Sequence, residues 1–288
     1  MVDHDDERRP ADAGAAAAHS RRTRIETGPT GRGDRSAASV GVALAIRTAG
    51  HALEGAIFDL ALRRFTYDAA GVITAIDKPY SWLEDPGRPI PEDFARLAGV
   101  GDADVAGKRI DDALAWYLIR SAGLIVTYGA EITRPAVEAR LPDTLNRAWA
   151  CIREEIGWRT RGTPVEACAS ASGAGVLAGP GRRASDDVDA DLSLLAQVFD
   201  DGRTALSLLL EHAMCPSWNV RAWGAPAAAV EALRLAGYCW NVEERVWMKH
   251  VFDREREAAW LAEHIYRGVR ADDARPSWAT LSRYTRYS

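Results

Sequence analysis

Three short apolar runs follow one another within residues 40–80, and they constrain the fold more than any other feature of the sequence. They read "VGVALAIR", "AIFDLALRRFTYD" and "VITAIDKPY", and the turn "AAG", which ends at Gly71, separates the last two. Apolar runs of this length between turn residues are typical of β-strands. Consecutive strands joined by short turns pair as antiparallel neighbours, so we predict a three-stranded meander.

Beyond residue 90 the pattern changes to strands that alternate with helices. Pro91 and Glu92 suit the opening of a short helix, and apolar residues recur at helical spacing over residues 110–121. The runs "GLIVTYG" and "RAWACI" predict two further strands, each followed by a helix. Ser185 can cap another helix, whose apolar stripe begins at Val188. A meander followed by alternating units predicts the α/β class, with a mixed sheet and helices on its faces.

Changes in composition divide the chain into four segments. Residues 1–38 are charged and rich in Ala and Gly without periodicity, so we predict a disordered tail there. Residues 39–215 are predicted to form the α/β domain. After the break "CPSWN", a strand-helix-strand-strand pattern with a following helix predicts a small α+β module over residues 216–270. Residues 271–288 are assigned to a C-terminal tail.

The composition limits the functions that are open to the chain. Its 288 residues, 47% of them hydrophobic, suffice for a buried core, and no window approaches a membrane span. We therefore expect a cytoplasmic protein without a membrane partner. The net charge of −5 gives no overall attraction to nucleic acid, so phosphate binding needs a local patch. All but three of the 36 basic residues are arginine, which suits phosphate recognition, although an Ala- and Arg-rich genome is the more general explanation.

The four cysteines lack the spacing of a zinc site or of a disulfide framework. We interpret them as small buried hydrophobic residues. They are Cys151, Cys168, Cys215 and Cys239.

Three longer stretches resemble one enzyme family, and they occur in that family's order. They are "RPIPEDFARLAGVGDADVAG", "GLIVTYGAEITRPAVEARL" and "GRRASDDVDADLSLLAQVF". Together they resemble the DEDDh-type 3′–5′ exonucleases, a ribonuclease H-like group that includes the proofreading subunit (epsilon) of bacterial DNA polymerase III. The resemblance extends over roughly Val40 to Ala213. It implies that the predicted mixed sheet is ribonuclease H-like.

Most residues that this family uses for chemistry are replaced here. Such enzymes hold two divalent ions through several carboxylates and use a histidine as general base. Where the family has D-x-E on its first strand, this chain has Ala45 and Arg47. The family's later aspartate corresponds to Thr133 and its histidine to Arg182, so Asp187 is the sole catalytic position that matches. The resemblance therefore implies a degenerate, catalytically inactive relative without a metal cofactor.

Arginine in place of metal ligands suggests binding without cleavage. A guanidinium can hold a phosphate through paired hydrogen bonds without a metal. We predict that Arg47, Thr48, Arg182 and Arg183 contact nucleic acid, with single-stranded DNA as the expected ligand. An alternative interpretation is that Arg47 pairs with Asp187 and only fills the emptied site. The sequence does not separate the two.

Two other functions stay open at this point. Neighbouring acids could form a displaced metal site, which would give an active 3′–5′ exonuclease that uses Mg²⁺ or Mn²⁺. Alternatively, the chain could be an interaction protein that contacts a nuclease or polymerase partner. The acids considered for a displaced site are Asp59, Glu131, Glu138, Asp186 and Asp189.

The C-terminal module is rich in aromatic residues. Its stretch "RAWGAPAAAVEALRLAGYCWNVEERVWMKHV" resembles the appendage of some bacterial members of the same exonuclease group. Trp223, Tyr238, Trp240 and Trp247 could stack on the bases of a single strand. In so small a unit, however, aromatic residues more often form the core, and we favour that interpretation.

Overall fold

A seven-stranded mixed sheet is the larger of two sheets in the computed structural model, which describes residues 25–50, 55–158, 181–268 and 275–287. Strands β2, β3 and β4 form the predicted antiparallel meander, and β6 and β7 continue the sheet in parallel beside β2. The order is β1-β4-β3-β2-β6-β7, and β5 pairs with β3. The predicted α/β class with a mixed sheet is confirmed. Its strands are β1 (Gly28–Pro29), β2 (Ser39–Ala49), β3 (Ala56–Tyr67), β4 (Ile73–Ile76), β5 (Tyr80–Leu83), β6 (Leu124–Thr127) and β7 (Trp149–Cys151).

Helices cover both faces of this sheet, and the alternation of side chains along β2 decides which helix each face meets. Val42 and Leu44 pack in the core that includes α3 and α4, whereas Ala43 and Ala45 pack in the core of α6 and α7. Because Arg47 continues the second set, its side chain is directed towards α6. The helices are α1 (Glu92–Ala98), α2 (Asp102–Val105), α3 (Asp112–Arg120), α4 (Ala130–Arg140), α5 (Ile152–Glu155), α6 (Ala184–Leu195) and α7 (Ala205–Met214).

The disordered tail predicted for residues 1–38 extends over residues that the structure describes as ordered. Residues 1–24 lie outside the described residues, but β1 pairs with β4, and Ile25 packs against the core. The cause is Arg63 on β3, which is 1% exposed. Its guanidinium donates to the carbonyl oxygen of Ile25 at 3.0 Å and to Thr27 Oγ1 at 2.9 Å. A buried guanidinium needs acceptors, and this segment supplies two of them.

The C-terminal module is built on a second, four-stranded sheet in the order β11-β8-β10-β9. Strand β11 lies in the segment that we assigned to a C-terminal tail, so the predicted boundary at residue 270 cuts through this sheet. Periodicity alone did not show that β11 pairs with β8, because their pairing is long-range. The elements are β8 (Ser217–Ala222), α8 (Val230–Leu235), β9 (Cys239–Asn241), β10 (Val246–Val251), α9 (Arg254–His264) and β11 (Pro276–Leu281).

The aromatic residues of the module divide between core and surface. Tyr238 is buried and Trp247 packs against the same core, as predicted. Trp223 and Trp240 are 40% and 47% exposed, so the core interpretation is wrong for these two. The cysteine interpretation also holds only in part, because Cys151 is buried while Cys215 and Cys239 are exposed; Cys168 lies outside the described residues. Within the described part of the chain, no helix has the length and apolarity to cross a bilayer.

A buried polar cluster joins the module to the larger sheet. Arg286, which is fully buried, places Nη1 3.0 Å from Glu155 Oε2 at the end of α5. It also donates to Ser217 Oγ at 2.8 Å and to the carbonyl oxygen of Cys215 at 2.6 Å. Arg134 on α4 donates in turn to the carbonyl oxygen of Arg286 at 2.6 Å. The last described residues therefore hold the module against α4 and α5.

Candidate functional site

The site lies where the end of β2 meets the start of α6. Arg47 Nη2 is 2.5 Å from Asp187 Oδ2, and the two side chains are 20% and 5% exposed. The same guanidinium lies 3.5 Å from the carbonyl oxygen of Arg182. The structure thus brings Arg47 of β2 together with Asp187, the one carboxylate that matches the exonuclease pattern.

A second arginine reaches the same carboxylate from the segment before α6. Arg182 Nε is 2.7 Å from Asp187 Oδ1, so each carboxylate oxygen of Asp187 accepts from a different guanidinium. The backbone of this segment is fixed by the C-terminal end of α1, because the N–H of Arg182 donates to the carbonyl oxygen of Leu97 at 3.0 Å. Gly99, which follows α1 with φ of +63°, allows Gly181 to approach closely.

The third arginine takes a different partner. Arg183 Nε is 2.6 Å from Asp59 Oδ2 and Nη2 is 3.1 Å from Asp59 Oδ1, a paired contact to a fully buried carboxylate. Asp59 lies opposite Arg47 across β2 and β3, and it also accepts from the N–H of Ala184 at 3.0 Å. Negative charge at a helix N-terminus is favourable. Asp59 therefore anchors the start of α6 to the sheet.

The start of α6 differs from the prediction. Ser185 is inside the helix rather than its cap, and Arg183 occupies the N-cap position. Asp186 occupies the N3 position, and its Oδ2 accepts from the backbone N–H of Arg183 at 2.9 Å, as the N3 side chain does in a capping box. Sequence reasoning chose serine because it is a preferred N-cap residue, whereas the contacts of Arg183 with Asp59 decide where the helix begins.

A buried acid that sequence reasoning missed stands one turn beyond Asp187. Asp191 is 1% exposed, and no described residue forms a hydrogen bond with its Oδ1. Burial raises the pKa of Asp191 well above its usual value, and the charge of Asp187 adds to the shift. The sequence feature that could have identified Asp191 is its position on the apolar stripe of α6, between Val188 and Leu192.

Burial also dominates the ionisation of Asp187. It raises the pKa of Asp187 to about 6, although Arg47 and Arg182 oppose the shift. The two arginines therefore hold a carboxylate that has little contact with water. Its ion pairs are the main compensation for lost hydration.

Two other residues named in the prediction, Thr48 and Thr133, form hydrogen bonds with residues close to them in the sequence. Thr48 Oγ1 donates to the carbonyl oxygen of Gly50 at 2.9 Å, which links it to the turn after β2. Thr133 on α4 is buried, and Thr127 Oγ1 donates to its hydroxyl at 3.3 Å. These contacts associate Thr133 with β6, the strand next to β2. Neither of these two hydrogen bonds connects a threonine to Asp187.

The acids considered for a displaced metal site have other partners. Asp59 and Asp186 are engaged by Arg183, through its side chain and its backbone N–H. The remaining three each form an ion pair with an arginine. These pairs are Glu131 with Arg153, Glu138 with Arg134 at 2.8 Å, and Asp189 with Arg63 at 2.6 Å.

The residues present do not fit the two divalent ions of the exonuclease family. Ala45 has no ligand atom, and both oxygens of Asp187 are occupied by guanidinium groups. Two like unit charges about 4 Å apart repel by roughly 4 kcal/mol at an effective dielectric constant near 20, so an arginine opposes a cation at this place. Across residues 25–50, 55–158, 181–268 and 275–287, no group of three or more His, Cys, Asp or Glu could hold a metal ion.

The fold and site define a class: an α/β protein with a meander-led mixed sheet and an arginine–aspartate cluster at the end of its central strand. No protein-family model matches the sequence, and no curated protein matches it. Among solved structures, the chain is similar to exonuclease X in complex with 5′ overhanging duplex DNA, at 22% identity over 58% of this chain and 99% of that one, with a TM-score of 0.37.

It is also similar to the zinc-bound complex of E. coli exonuclease I with single-stranded DNA, at 14% identity and a TM-score of 0.46. That match covers 86% of this chain, which spans 63% of the exonuclease I chain. A full-length 3′-exonuclease matches at 10% identity over 60% of this chain and 64% of that one, with a TM-score of 0.40. Because these TM-scores are below 0.5, the functional argument rests on the chain's own residues.

Proposed function

We propose that this chain is an exonuclease-like protein that binds single-stranded nucleic acid and does not cleave it. The observation that supports this function best is the double ion pair of Asp187 with Arg47 and Arg182. By the sequence resemblance, Arg47 and Asp187 stand at positions where the resembled enzymes carry metal ligands, and the cluster brings two guanidinium groups to the end of the central strand.

The geometry allows a phosphate to reach these guanidinium groups. The side chains of Arg47 and Arg182 are 20% and 21% exposed, whereas Asp187 is 5% exposed. The arginines therefore lie between the buried carboxylate and the solvent. A backbone phosphate that approaches from solvent meets guanidinium donors first, and arginine binds phosphate through paired hydrogen bonds.

The same contacts argue against hydrolysis. Cleavage by the resembled mechanism needs carboxylates that hold two ions and activate water. Here the matching carboxylate is neutralised by arginine, and each acid considered for a displaced site has another partner. Single-stranded DNA remains the expected ligand because the sequence resembles enzymes that act at the 3′ ends of strands.

The test compares two substitutions that should act in opposite directions. Binding of a fluorescent single-stranded oligonucleotide is measured by anisotropy over a salt series. Arg47→Ala should weaken binding and reduce its salt dependence, because one phosphate contact is lost. Asp187→Asn should tighten binding, because it removes the charge that competes for both arginines. Arg64→Ala is the matched control, since Arg64 is also on the sheet, 30% exposed and paired with Asp77.

The outcomes separate the alternatives. If Arg47 only fills the emptied site, both substitutions will leave the affinity for the oligonucleotide unchanged. If wild-type protein binds no oligonucleotide at all, the proposal fails and the interaction-protein interpretation gains support. A parallel incubation with Mg²⁺ or Mn²⁺ tests for cleavage. Metal-dependent shortening of the 3′ end that disappears in Asp187→Ala would establish an active enzyme.

A further inference from the structure

We infer that the arginine site selects a terminal phosphomonoester of the nucleic acid over an internal phosphodiester. The inference rests on the proposed function and specifies which group of the ligand enters the site. Its basis is a competition: an anion that pairs with Arg47 Nη2 and Arg182 Nε must replace the carboxylate of Asp187, which these two nitrogens already contact.

An internal phosphodiester gains little from this exchange. It carries one negative charge and offers two unesterified oxygens, which is the same charge and number of acceptors as the carboxylate of Asp187. That carboxylate already places one oxygen 2.5 Å from Arg47 Nη2 and the other 2.7 Å from Arg182 Nε. Any anion that makes this exchange leaves Asp187 buried without its two partners, which is unfavourable, so it must offer more charge or more acceptors than the carboxylate did.

A terminal phosphomonoester brings what the carboxylate lacks. Near neutral pH it carries close to two negative charges and three acceptor oxygens. The third oxygen and the extra charge can interact with Arg183, which adjoins Arg182 in the chain and whose side chain is 31% exposed and pairs with Asp59 through Nε and Nη2.

The surroundings favour one compact, doubly charged group over a continuous strand. Arg47 from β2 and Arg182 from the segment before α6 converge on the single carboxylate of Asp187, while the neighbouring Arg183 pairs with Asp59. Donors that converge on one point suit one phosphate rather than a row of them. The 5′ and 3′ ends present the same chemistry here, so the experiment must distinguish them.

The experiment uses one single-stranded sequence with an internal fluorophore, so that both ends are free. Five forms are compared by anisotropy at fixed ionic strength and pH 7.5: unphosphorylated, 5′-phosphorylated, 3′-phosphorylated, and each phosphorylated form with its terminal phosphate methylated. The methyl ester keeps the phosphorus and its position but removes the second charge. One phosphorylated form should bind about tenfold more tightly or better, equivalent to at least about 1.4 kcal/mol, and methylation should abolish the gain.

Substitutions assign the preference to the site. Arg47→Lys keeps the charge but loses the paired hydrogen-bond geometry, so the preference should shrink, and Arg47→Ala should remove it. Arg64→Ala should leave it unchanged, and a thermal melt of each variant verifies folding. Equal affinity for all five forms would overturn the inference while leaving the proposed function standing, whereas no binding of any form would overturn both. A preference that survives in Arg47→Ala and in Arg182→Ala would place the phosphate elsewhere and also overturn the inference.

Discussion

At the scale of single residues, the neighbours of Asp187 determine what its side chain contacts. An aspartate that resembles a metal ligand is here the shared partner of Arg47 and Arg182. Burial nevertheless affects the pKa of Asp187 more than the two arginines do, since that pKa is raised to about 6 in spite of two positive neighbours. The carboxylate is therefore unfavourably buried when charged, and the arginines compensate only in part.

This balance predicts how stability changes with pH. Because the folded-state pKa of Asp187 lies above its unfolded value, Asp187 contributes stability that is complete below about pH 4 and is lost as pH rises to about 6. Relative to Asp187→Asn, the wild-type free energy of unfolding should fall by roughly 3 kcal/mol across this window. Urea unfolding at several pH values between 4 and 7 measures the difference. Parallel curves for the two proteins would contradict it, and Asp77→Asn, at the surface, serves as the control.

At the scale of elements, the site depends on how the end of α1 meets the segment before α6. Gly181 and Arg182 donate their N–H groups to the carbonyl oxygens of Arg96 and Leu97, at 3.2 and 3.0 Å. This contact requires glycine at residue 99. A Cβ on Gly99 would lie 2.8 Å from the Cα of Gly181, and the φ of +63° is unfavourable for other residues. Gly99 therefore lets the end of α1 position the backbone of Arg182.

The element-scale prediction uses a pair of glycines with nearly the same φ. Gly99→Ala should be more destabilising than Gly107→Ala, because Gly107 has φ of +68° but nothing within 4 Å of its Cβ position. Backbone strain costs about 1–2 kcal/mol in both variants, so the difference between their urea midpoints isolates the close approach to Gly181. Gly99→Ala should also weaken DNA binding, because Arg182 is displaced. Equal midpoints would show that the two backbones can move apart freely.

At the scale of the whole molecule, the last described residues connect the two sheets. Arg286 contacts α5 through Glu155 and the start of β8 through Ser217, while Tyr287 donates to Glu155 Oε1 at 3.0 Å. Trp149 on β7 donates its backbone N–H to the carbonyl oxygen of Arg283 at 3.0 Å. The module is thus attached to the larger sheet through buried polar contacts. Loss of one partner would leave the other polar group buried without that contact.

Removing one partner should therefore destabilise the whole chain. Arg286→Met leaves Glu155 buried and unpaired, and the free energy of unfolding should fall by about 3–5 kcal/mol. Adding Glu155→Gln should recover part of the loss, because the remaining amide carries no charge. Urea unfolding followed by tryptophan fluorescence measures both variants. Arg283→Ala, on the same segment but partly exposed, is the control, and a loss as large there would mean that the buried pair is not responsible.

Much of the fold was predictable because its signals are local. The meander, the later strands and most helices follow from apolar periodicity over short windows, and β2, β3 and β4 pair as neighbours in sequence. The segments missed in the prediction depend on distant partners. Strand β11 is ordered by β8, more than fifty residues earlier, and Ile25 is ordered by contacts that include Arg63.

Through the resemblance, the sequence by itself predicted which residues stand at the family's catalytic positions, with Asp187 as the sole match. Only the tertiary structure decided what those residues contact. Two arginines that are 135 residues apart share one carboxylate, a third is held by Asp59, and Asp191 is buried beside them. The physical reason is that the type of each residue is read directly from the sequence. Ion pairing and desolvation depend instead on which distant side chains the folded sheet brings together.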